Sequence, residues 1–349
     1  MSQHLSVHGI DIAVRVLDKL APADAWPAEW ESLASRCAGA ATFVSRPWVA
    51  AWVQAYARTC PLRAIELRVS GRLAGAMWLY RHNDHPQGPR WLSVGSGNSD
   101  RLDPLLDADL AERVSRPLID VLAELSADAP VELQQVTADS VFARTAMRDA
   151  RCTIAEHEPC LMLDLRGVQN AHELLKKGMR YDLRRSRKAI EEHACIIEEA
   201  GPETVDGLID ALIELHTARW RARGEAGVLS DRATCDMHRA VARATVGKGL
   251  VLRALRCDST IVACVYGFRS NGIESCYLNG FDPEWSWLQP GKLMLADSID
   301  RAIAAGIRRL DMLRGREEYK YRWPVIEEPC VRIEIGSNDE EAGRSLDHR

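Results

Sequence analysis

The sequence predicts an α/β protein with a mixed α+β sheet, built from two units of one plan. The chain has 349 residues, which at roughly 150 residues per domain suggests two domains. Each half follows the same order of helix, helix, three antiparallel strands, loop, helix and strand. The halves share this order without clear residue identity, so a duplicated unit is the economical explanation.

The first unit is predicted over residues 1–157. Ser45 is expected to cap a helix that has Pro47 in its first turn. Trp48 and Trp52 lie four residues apart on this helix, which favours a core role for both. The other expected elements are a helix ending near residue 36, a hairpin of strands 62–69 and 73–80, a strand at 90–94, a loop at 95–99, a helix at 109–125 and a strand at 131–136.

The second unit is predicted over residues 158–336. A strand at 160–165 opens it, a basic helix follows, and Gly201-Pro202 marks the start of the next helix. That helix is expected at 203–223, and a second helix, capped by Ser230, at 231–245. The remaining expected elements are strands at 250–256, 261–269 and 273–279, a helix at 292–305 and a strand at 308–313. Residues 337–349 are expected to form a flexible tail.

Composition restricts the class of protein. With 46% hydrophobic and 27% charged residues, the chain can build buried cores and is not expected to be disordered. A net charge of −5 argues against a protein that mainly coats nucleic acid or an anionic membrane. The first 17 residues read as neither a signal peptide nor a membrane span, so no transmembrane segment is expected. The ten cysteines form no C-x-x-C pair, which favours structural thiols, no metal site and a cytoplasmic location.

The turn around Gly291 is a candidate anion site. Gln289 precedes a Pro-Gly turn that opens an amphipathic helix, and the first N–H groups of a helix have no intrahelical acceptors. Gly291 permits close approach of a ligand, and the amides of Lys292, Leu293 and Met294 are predicted to face a diphosphate. An ordinary loop-to-helix transition explains the same residues, so the turn alone does not decide.

The basic helix is a second candidate site. Between residues 176 and 188 the chain has seven cations and one acid. Leu175, Met179 and Leu183 fall near one face, while Arg180 and Arg184 gather on another. This face is predicted to contact an anionic substrate, a nucleotide or a membrane surface, and a solvated face is the alternative.

The loop after the last predicted strand gathers ionisable groups. Asp311 lies near the end of an apolar strand, where burial would raise its pKa and suit it to general-base work. Acyl transfer needs such a base, an acid for the leaving thiolate and donors to an oxyanion, all of which this loop could supply. A salt-bridged structural loop is the alternative. The predicted catalytic residues are Asp311 or Glu318 as base and Tyr319 or Tyr277 as acid. The predicted substrate contacts are Arg180, Arg184, Trp220, Asp282, Arg314 and Lys320.

Motifs between residues 25 and 330 match one family. They are Phe43-x-x-x-Pro47-Trp48-x-x-x-Trp52, the basic helix, Tyr277-Leu278-Asn279-Gly280-Phe281-Asp282, Pro290-Gly291-Lys292-Leu293 and Asp311-Met312-Leu313-Arg314-Gly315-x-x-x-Tyr319-Lys320-x-x-Trp323. Together they resemble the CelD/BcsL-type acyltransferases of the GNAT superfamily, which are related to the Fem aminoacyltransferases. The usual GNAT phosphate motif, Gln/Arg-x-x-Gly-x-Gly/Ala, is incomplete, because Gln289 stands two residues before Gly291 and Leu293 replaces the second small residue.

The resemblance implies a tandem GNAT-like fold and acetyl-CoA or another acyl-CoA as donor. The implied acceptor is a small-molecule amine or hydroxyl, including a sugar in cellulose or exopolysaccharide production. Two alternatives stay open. One is a Fem-like transferase that uses aminoacyl-tRNA and contacts RNA through the basic helix. The other is an inactive GNAT scaffold that binds a partner in polysaccharide synthesis.

Overall fold

A computed structural model describes the backbone of residues 2–7 and 10–17 and, with side chains, residues 29–336. The predicted tail at 337–349 lies outside the described residues. The chain forms two compact units. Unit 1 comprises Met1–Ala38, Thr59–Glu158 and Pro329–Arg349, and unit 2 comprises Gly39–Arg58 and Pro159–Glu328. The domain boundaries expected from the sequence did not foresee that residues 39–58 are counted with unit 2.

The elements confirm the predicted mixed α/β class and the repeated order. The strands are β1 Ser2–Val7, β2 Ile10–Leu17, β3 Leu62–Val69, β4 Arg72–His82, β5 Arg90–Ser93, β6 Leu105–Leu106, β7 Val131–Thr137, β8 Cys152–Asp164, β9 Ile196–Glu199, β10 Leu250–Cys257, β11 Thr260–Ser270, β12 Ile273–Phe281, β13 Arg309–Arg314 and β14 Ile326–Ile335. The α-helices are α1 Glu29–Ser35, α2 Arg46–Tyr56, α3 Ala111–Leu125, α4 Val141–Ala146, α5 Lys177–Glu192, α6 Val205–Arg221, α7 Arg232–Thr245 and α8 Pro290–Ala304.

In unit 1 the strands follow the order β1-β2-β3-β4-β5-β7-β14. Neighbouring strands are antiparallel except β5 and β7, which run parallel. The β3–β4 turn places Ser70 and Gly71 at φ of 51° and 80°, the left-handed pair that a tight hairpin requires. Val114, Leu118 and Leu122 of α3 are fully buried in the hydrophobic core of this unit.

In unit 2 the strands follow the order β8-β13-β12-β11-β10-β9, and only β12 and β13 run parallel. Leu293 of α8 and Leu183 of α5 share a core with Leu310 and Met312 of β13. Because side chains alternate along a strand, Asp311 points to the opposite face of the sheet. That face carries α6.

An aromatic cluster fixes α2 within unit 2. The Trp48 ring lies 5.7 Å from Phe268, 5.3 Å from Tyr277 and 5.7 Å from His238, measured between ring centroids. Trp48 and Trp52 are 0% and 2% exposed, which confirms their predicted core role. Burying two indoles here explains why residues 39–58 belong to this unit.

Two local expectations were wrong. The N-cap of α7 is Asp231, whose Oδ2 accepts the Thr234 N–H at 2.9 Å, because Ser230 is the last residue of a short 3₁₀ helix. Cys195 and Cys257, expected as thiols, form a disulfide across 62 residues of sequence. Pairing at that separation depends on β9 lying beside β10, which cysteine spacing does not reveal.

Candidate functional site

The parallel strands β12 and β13 pair briefly and then separate. Three residue pairs hold them together, and the last is Ser275 with Asp311. Beyond it, β12 continues to Phe281, paired with β11 along its other edge. Among the described strands none pairs with the β13-facing edge of residues 276–281. We call this opening the split.

A β-bulge lies on β12 at the start of the split. Tyr266 pairs with Leu278 and Gly267 with Cys276, so Tyr277 is the extra residue. The Tyr277 ring packs 5.4 Å from Phe43, in the aromatic cluster around α2. The ring of Tyr277, predicted from the sequence as the acid, therefore packs against the aromatic cluster next to the split.

Unit 1 contains the corresponding strand pair, but its own chain fills the opening. β5 pairs with β7 through Trp91 and Leu92 only. Farther along, the Leu102 N–H donates to the Gln135 carbonyl at 3.0 Å, and the Thr137 N–H donates to the Asp103 carboxylate at 3.2 Å. The segment 99–103 thus occupies the edge of β7 that would otherwise be open.

Asp311 stands at the apex of the split. Its side chain is 1% exposed, and its Oδ1 accepts the Leu313 N–H at 2.9 Å. Leu313 has φ of +60°, a strained value for a branched residue, and the Asp311 carboxylate secures this kink. Gln135 of unit 1 has φ of +53° at the same distance from the start of its strand, so the two units share the kink.

Cys276 and Tyr319 lie near each other at the start of the split. Burial raises the pKa of the Cys276 thiol, and the charges of Glu274 and Asp311 raise it further. Burial around the phenol oxygen likewise raises the pKa of Tyr319, although 41% of that residue's surface is exposed. Cys276 itself influences the Tyr319 phenol, so the two groups are neighbours. Both groups keep their protons at neutral pH.

Arg219 of α6 lies near the Tyr319 phenol. Its Nη1 donates to Asn279 Oδ1 at 2.6 Å, and its guanidinium lies 4.6 Å from the Phe281 ring centroid. Burial lowers the pKa of Arg219, while its charge acts on Tyr319. Sequence reasoning did not single out Arg219 or Cys276. Their only signal was position, one turn after His216 and one residue before Tyr277.

The start of α8 offers fewer donors than predicted. The N–H groups of Lys292 and Leu293 both donate to the Gln289 carbonyl, at 3.0 and 3.1 Å. The side chains of Leu293 and Met294 are buried in the core. Gly291 faces open space, since a Cβ at that position would meet nothing within 4 Å. An anion here would meet the Gly291 amide and the ammonium of Lys292.

The Lys292 ammonium is held by the chain itself. Nζ donates to Asp182 Oδ2 of α5 at 3.0 Å and to Gln289 Oε1 at 2.5 Å. An anionic ligand would compete with the Asp182 carboxylate for this cation.

Lys320, predicted as a substrate contact, is bonded to the protein itself. Lys320 is 2% exposed, and its Nζ donates to the carbonyls of Leu313, Arg314 and Gly315 at 3.3, 2.6 and 3.2 Å. It also pairs with Glu317 at 2.9 Å. The Lys320 ammonium therefore has no hydrogen left for a substrate anion, and the contact expected from the sequence gives way to a structural role.

Other predicted residues lie on the surface or at helix ends. Glu318 is exposed and pairs with Arg322 at 3.2 Å. Asp282 caps a 3₁₀ helix by accepting the Glu284 N–H at 3.0 Å. Trp220 packs against Gly227, where a Cβ would lie 2.7 Å from the indole. The predicted contacts Arg180 and Arg184 are exposed residues of α5 and lie apart from Asp311 in the fold.

No three His, Cys, Asp or Glu side chains in the described ranges are placed to hold a metal ion. Over those same ranges, every helix is too short or too polar to cross a bilayer.

Part of unit 2 resembles a known domain. Residues 177–321 match the model of a family described as an acetyltransferase (GNAT) domain. The matched stretch contains the split, Arg219 and Tyr319. No curated protein sequence matches the chain.

Solved structures show the same fold at low identity. FemX superposes with a TM-score of 0.66 at 10% identity, over 87% of this chain and 94% of that one. The C-terminal domain of a protein described as a lysylphosphatidylglycerol synthetase from Agrobacterium fabrum gives 0.58 at 13% identity, over 90% and 92%. A tandem GNAT protein from the clavulanic acid biosynthesis pathway gives 0.50 at 12% identity, over 94% and 100%.

The chain therefore has the tandem GNAT fold. Its second unit carries the stretch that resembles GNAT acetyltransferase domains. The narrower likeness to the CelD/BcsL type stays a prediction from sequence motifs.

Proposed function

We propose that unit 2 is an acyltransferase that moves an acyl group from coenzyme A to an amine or hydroxyl acceptor. The observation that carries this proposal is the split itself. An unpaired strand edge of β12 opens just beyond Asp311, with Cys276 at its start and the Tyr319 phenol near Cys276.

The donor would bind along the unpaired edge of β12. Residues 276–281 present main-chain N–H and C=O groups at strand spacing, which an extended amide-bearing chain can pair with as an added strand. The pantetheine arm of coenzyme A is such a chain. Its diphosphate would reach the Gly291 amide and Lys292, where the helix start favours negative charge.

Acyl-CoA supplies an activated thioester whose carbonyl carbon the acceptor attacks. Asp311 takes the proton from the acceptor nitrogen or oxygen as the new bond to carbon forms. Tyr319 gives its proton to the sulfur as the carbon–sulfur bond breaks. The raised pKa of Tyr319 keeps that proton in place at neutral pH. Because the Cys276 thiol is also held protonated, we propose direct transfer without an acyl-cysteine intermediate.

Acetyl-CoA is the first donor to test, and a sugar amine or hydroxyl in cellulose or exopolysaccharide production is the first acceptor class. Isothermal titration with acetyl-CoA and longer acyl-CoAs, at up to millimolar concentration, tests donor binding. Gly291→Leu should abolish binding and leave folding intact, because the added side chain points into open space. Gly178→Leu is the matched control, since that glycine also has no neighbour within 4 Å.

The two alternatives predict different results. A Fem-like enzyme would transfer an aminoacyl group from tRNA and bind no acyl-CoA. An inactive scaffold would bind neither donor and would support polymer production even as Asp311→Asn. Absence of donor binding by the unaltered protein would refute the proposal.

A further inference from the structure

The outward face of α5 carries a row of cations. Lys177, Arg180, Arg184 and Lys188 recur at spacings of three and four residues, so they share one side of the helix. Leu183 and Ser186 lie on other sides of the helix and are buried, Leu183 in the core of unit 2. The row therefore faces away from that core.

Most of this charge has no carboxylate partner. Within residues 29–336, no acidic side chain lies within ion-pair distance of Lys177, Arg180 or Arg184. Arg180 donates only to main-chain carbonyls, those of Leu175 at 2.6 Å and Glu173 at 3.3 Å. Lys188 pairs with Glu192 at 3.2 Å, an exposed pair that contributes little. The first three turns of this face present positive charge alone.

An exposed aromatic side chain accompanies the cations. Tyr181 is 62% exposed and lies within the row. A tyrosine among cations is typical of segments that rest on a membrane surface.

We propose that this face of α5 binds the surface of an anionic phospholipid bilayer. The row spans about 16 Å at 1.5 Å per residue, enough to contact several headgroups. The chain as a whole carries a charge of −5, so attraction is confined to this face and orients the protein on the surface. The apolar side of α5 is already buried, so the contact is electrostatic, with Tyr181 entering the headgroup layer.

A single-stranded RNA offers the same phosphate charge. Proteins that bind single-stranded RNA line a groove with several aromatic side chains on which the bases stack. The row lies on the outward face of a helix, and α5 contains no aromatic residue besides Tyr181, which favours lipid. The inference rests on α5 alone and holds whether or not unit 2 transfers acyl groups.

Co-sedimentation of the full chain with vesicles tests the inference. Binding is expected to vesicles of phosphatidylcholine with about 30% phosphatidylglycerol, to weaken steeply as salt rises, and to be absent on pure phosphatidylcholine. Each cation near an anionic surface contributes about fivefold to the affinity. The triple variant Lys177→Gln, Arg184→Gln, Lys188→Gln should therefore bind at least tenfold more weakly.

A matched triple variant with the same change of charge, Arg148→Gln, Arg221→Gln, Lys248→Gln, should bind like the unaltered chain, because these exposed cations lie outside the row. Circular dichroism verifies that all variants are folded. Equal loss in both triple variants, or binding to neutral vesicles, would overturn the proposal. Salt-sensitive binding to single-stranded RNA without binding to vesicles would overturn it in favour of RNA.

Discussion

The Asp311 carboxylate accepts the Leu313 N–H at 2.9 Å and so holds the kink of β13 at the apex of the split. Asp311 thus has a structural role besides the one we propose in proton transfer. The two roles can be separated, since an amide oxygen can accept the same hydrogen bond but cannot act as a base.

We predict that Asp311→Asn folds normally and loses activity. Removing a general base lowers kcat by about 10²- to 10⁴-fold, while KM for the donor stays close to its original value. Steady-state kinetics with acetyl-CoA checks this. Glu318→Gln is the control and should keep full activity, because Glu318 is exposed and pairs with Arg322. The reverse outcome would make Glu318 the base.

Tyr319→Phe should lower kcat by about 100-fold, because the leaving thiolate loses its proton donor. The raised pKa has a further consequence with a definite sign. The phenol is lost as an acid only when pH rises through that raised pKa, so Tyr319 should cause no alkaline loss of activity up to about pH 9. Tyr321→Phe removes an equivalent hydroxyl from an exposed ring and should leave kcat unchanged.

Stability should fall in acid because of His216 and His238. Burial lowers the pKa of His216 to about 4 and that of His238 to about 3. Between pH 6.5 and about 4 the unfolded chain therefore binds protons that the folded chain does not, and the free energy of unfolding decreases as pH falls. At about 1.36 kcal/mol per pKa unit, the loss amounts to several kcal/mol.

His238→Phe should flatten this dependence, since it removes one titrating group and keeps an aromatic ring beside Tyr266 and Tyr277. Urea unfolding at several pH values between 4 and 8 measures the slope. An unchanged slope would show that other groups cause the acid sensitivity.

Lys320→Met should destabilise unit 2 by about 3 kcal/mol, because the carbonyls of residues 313–315 lose a buried charged donor. Lys248→Met, at an exposed position, should change stability by less than about 0.5 kcal/mol. If Lys320→Met keeps its stability and loses substrate binding instead, the result would support the substrate contact that the sequence predicted for Lys320.

The Cys195–Cys257 bond predicts eight reactive thiols, not ten, in protein denatured without a reductant. Cys195→Ser should lower the free energy of unfolding by about 2–4 kcal/mol under oxidising conditions, since it frees a long loop in the unfolded chain. The same variant should match the unaltered chain when a reductant is present. Ten thiols in the denatured protein would contradict the pairing and favour the expected reducing environment.

The sequence was sufficient for the repeated order of two helices, three antiparallel strands, a helix and a strand, and for the region in which we propose the site. The spacing of the hydrophobic residues predicted α8 and β13. The concentration of ionisable residues after Asp311 indicated a catalytic site in that loop. The pattern of residue types could not show that Lys320 is buried, because its partners are main-chain carbonyls, which have no sequence signature. It could not find Arg219 either, since that residue reaches the site only when Gly280 lets α6 approach β12, where a Cβ would meet the His216 nitrogen at 2.6 Å.

The strands β1, β2, β9 and β14 were also missed. β9 has only four residues, too few for a periodic signal, and β14 carries Glu327, Glu328 and Pro329 in its first half. Long-range pairing places such segments in a sheet more than their own preferences do.

The segment 99–103 limits the stoichiometry of the donor binding that we propose. Two open splits in one polypeptide would take up two donor molecules. Because Leu102 and Asp103 occupy the corresponding edge in unit 1, each polypeptide should saturate at a single equivalent of coenzyme A.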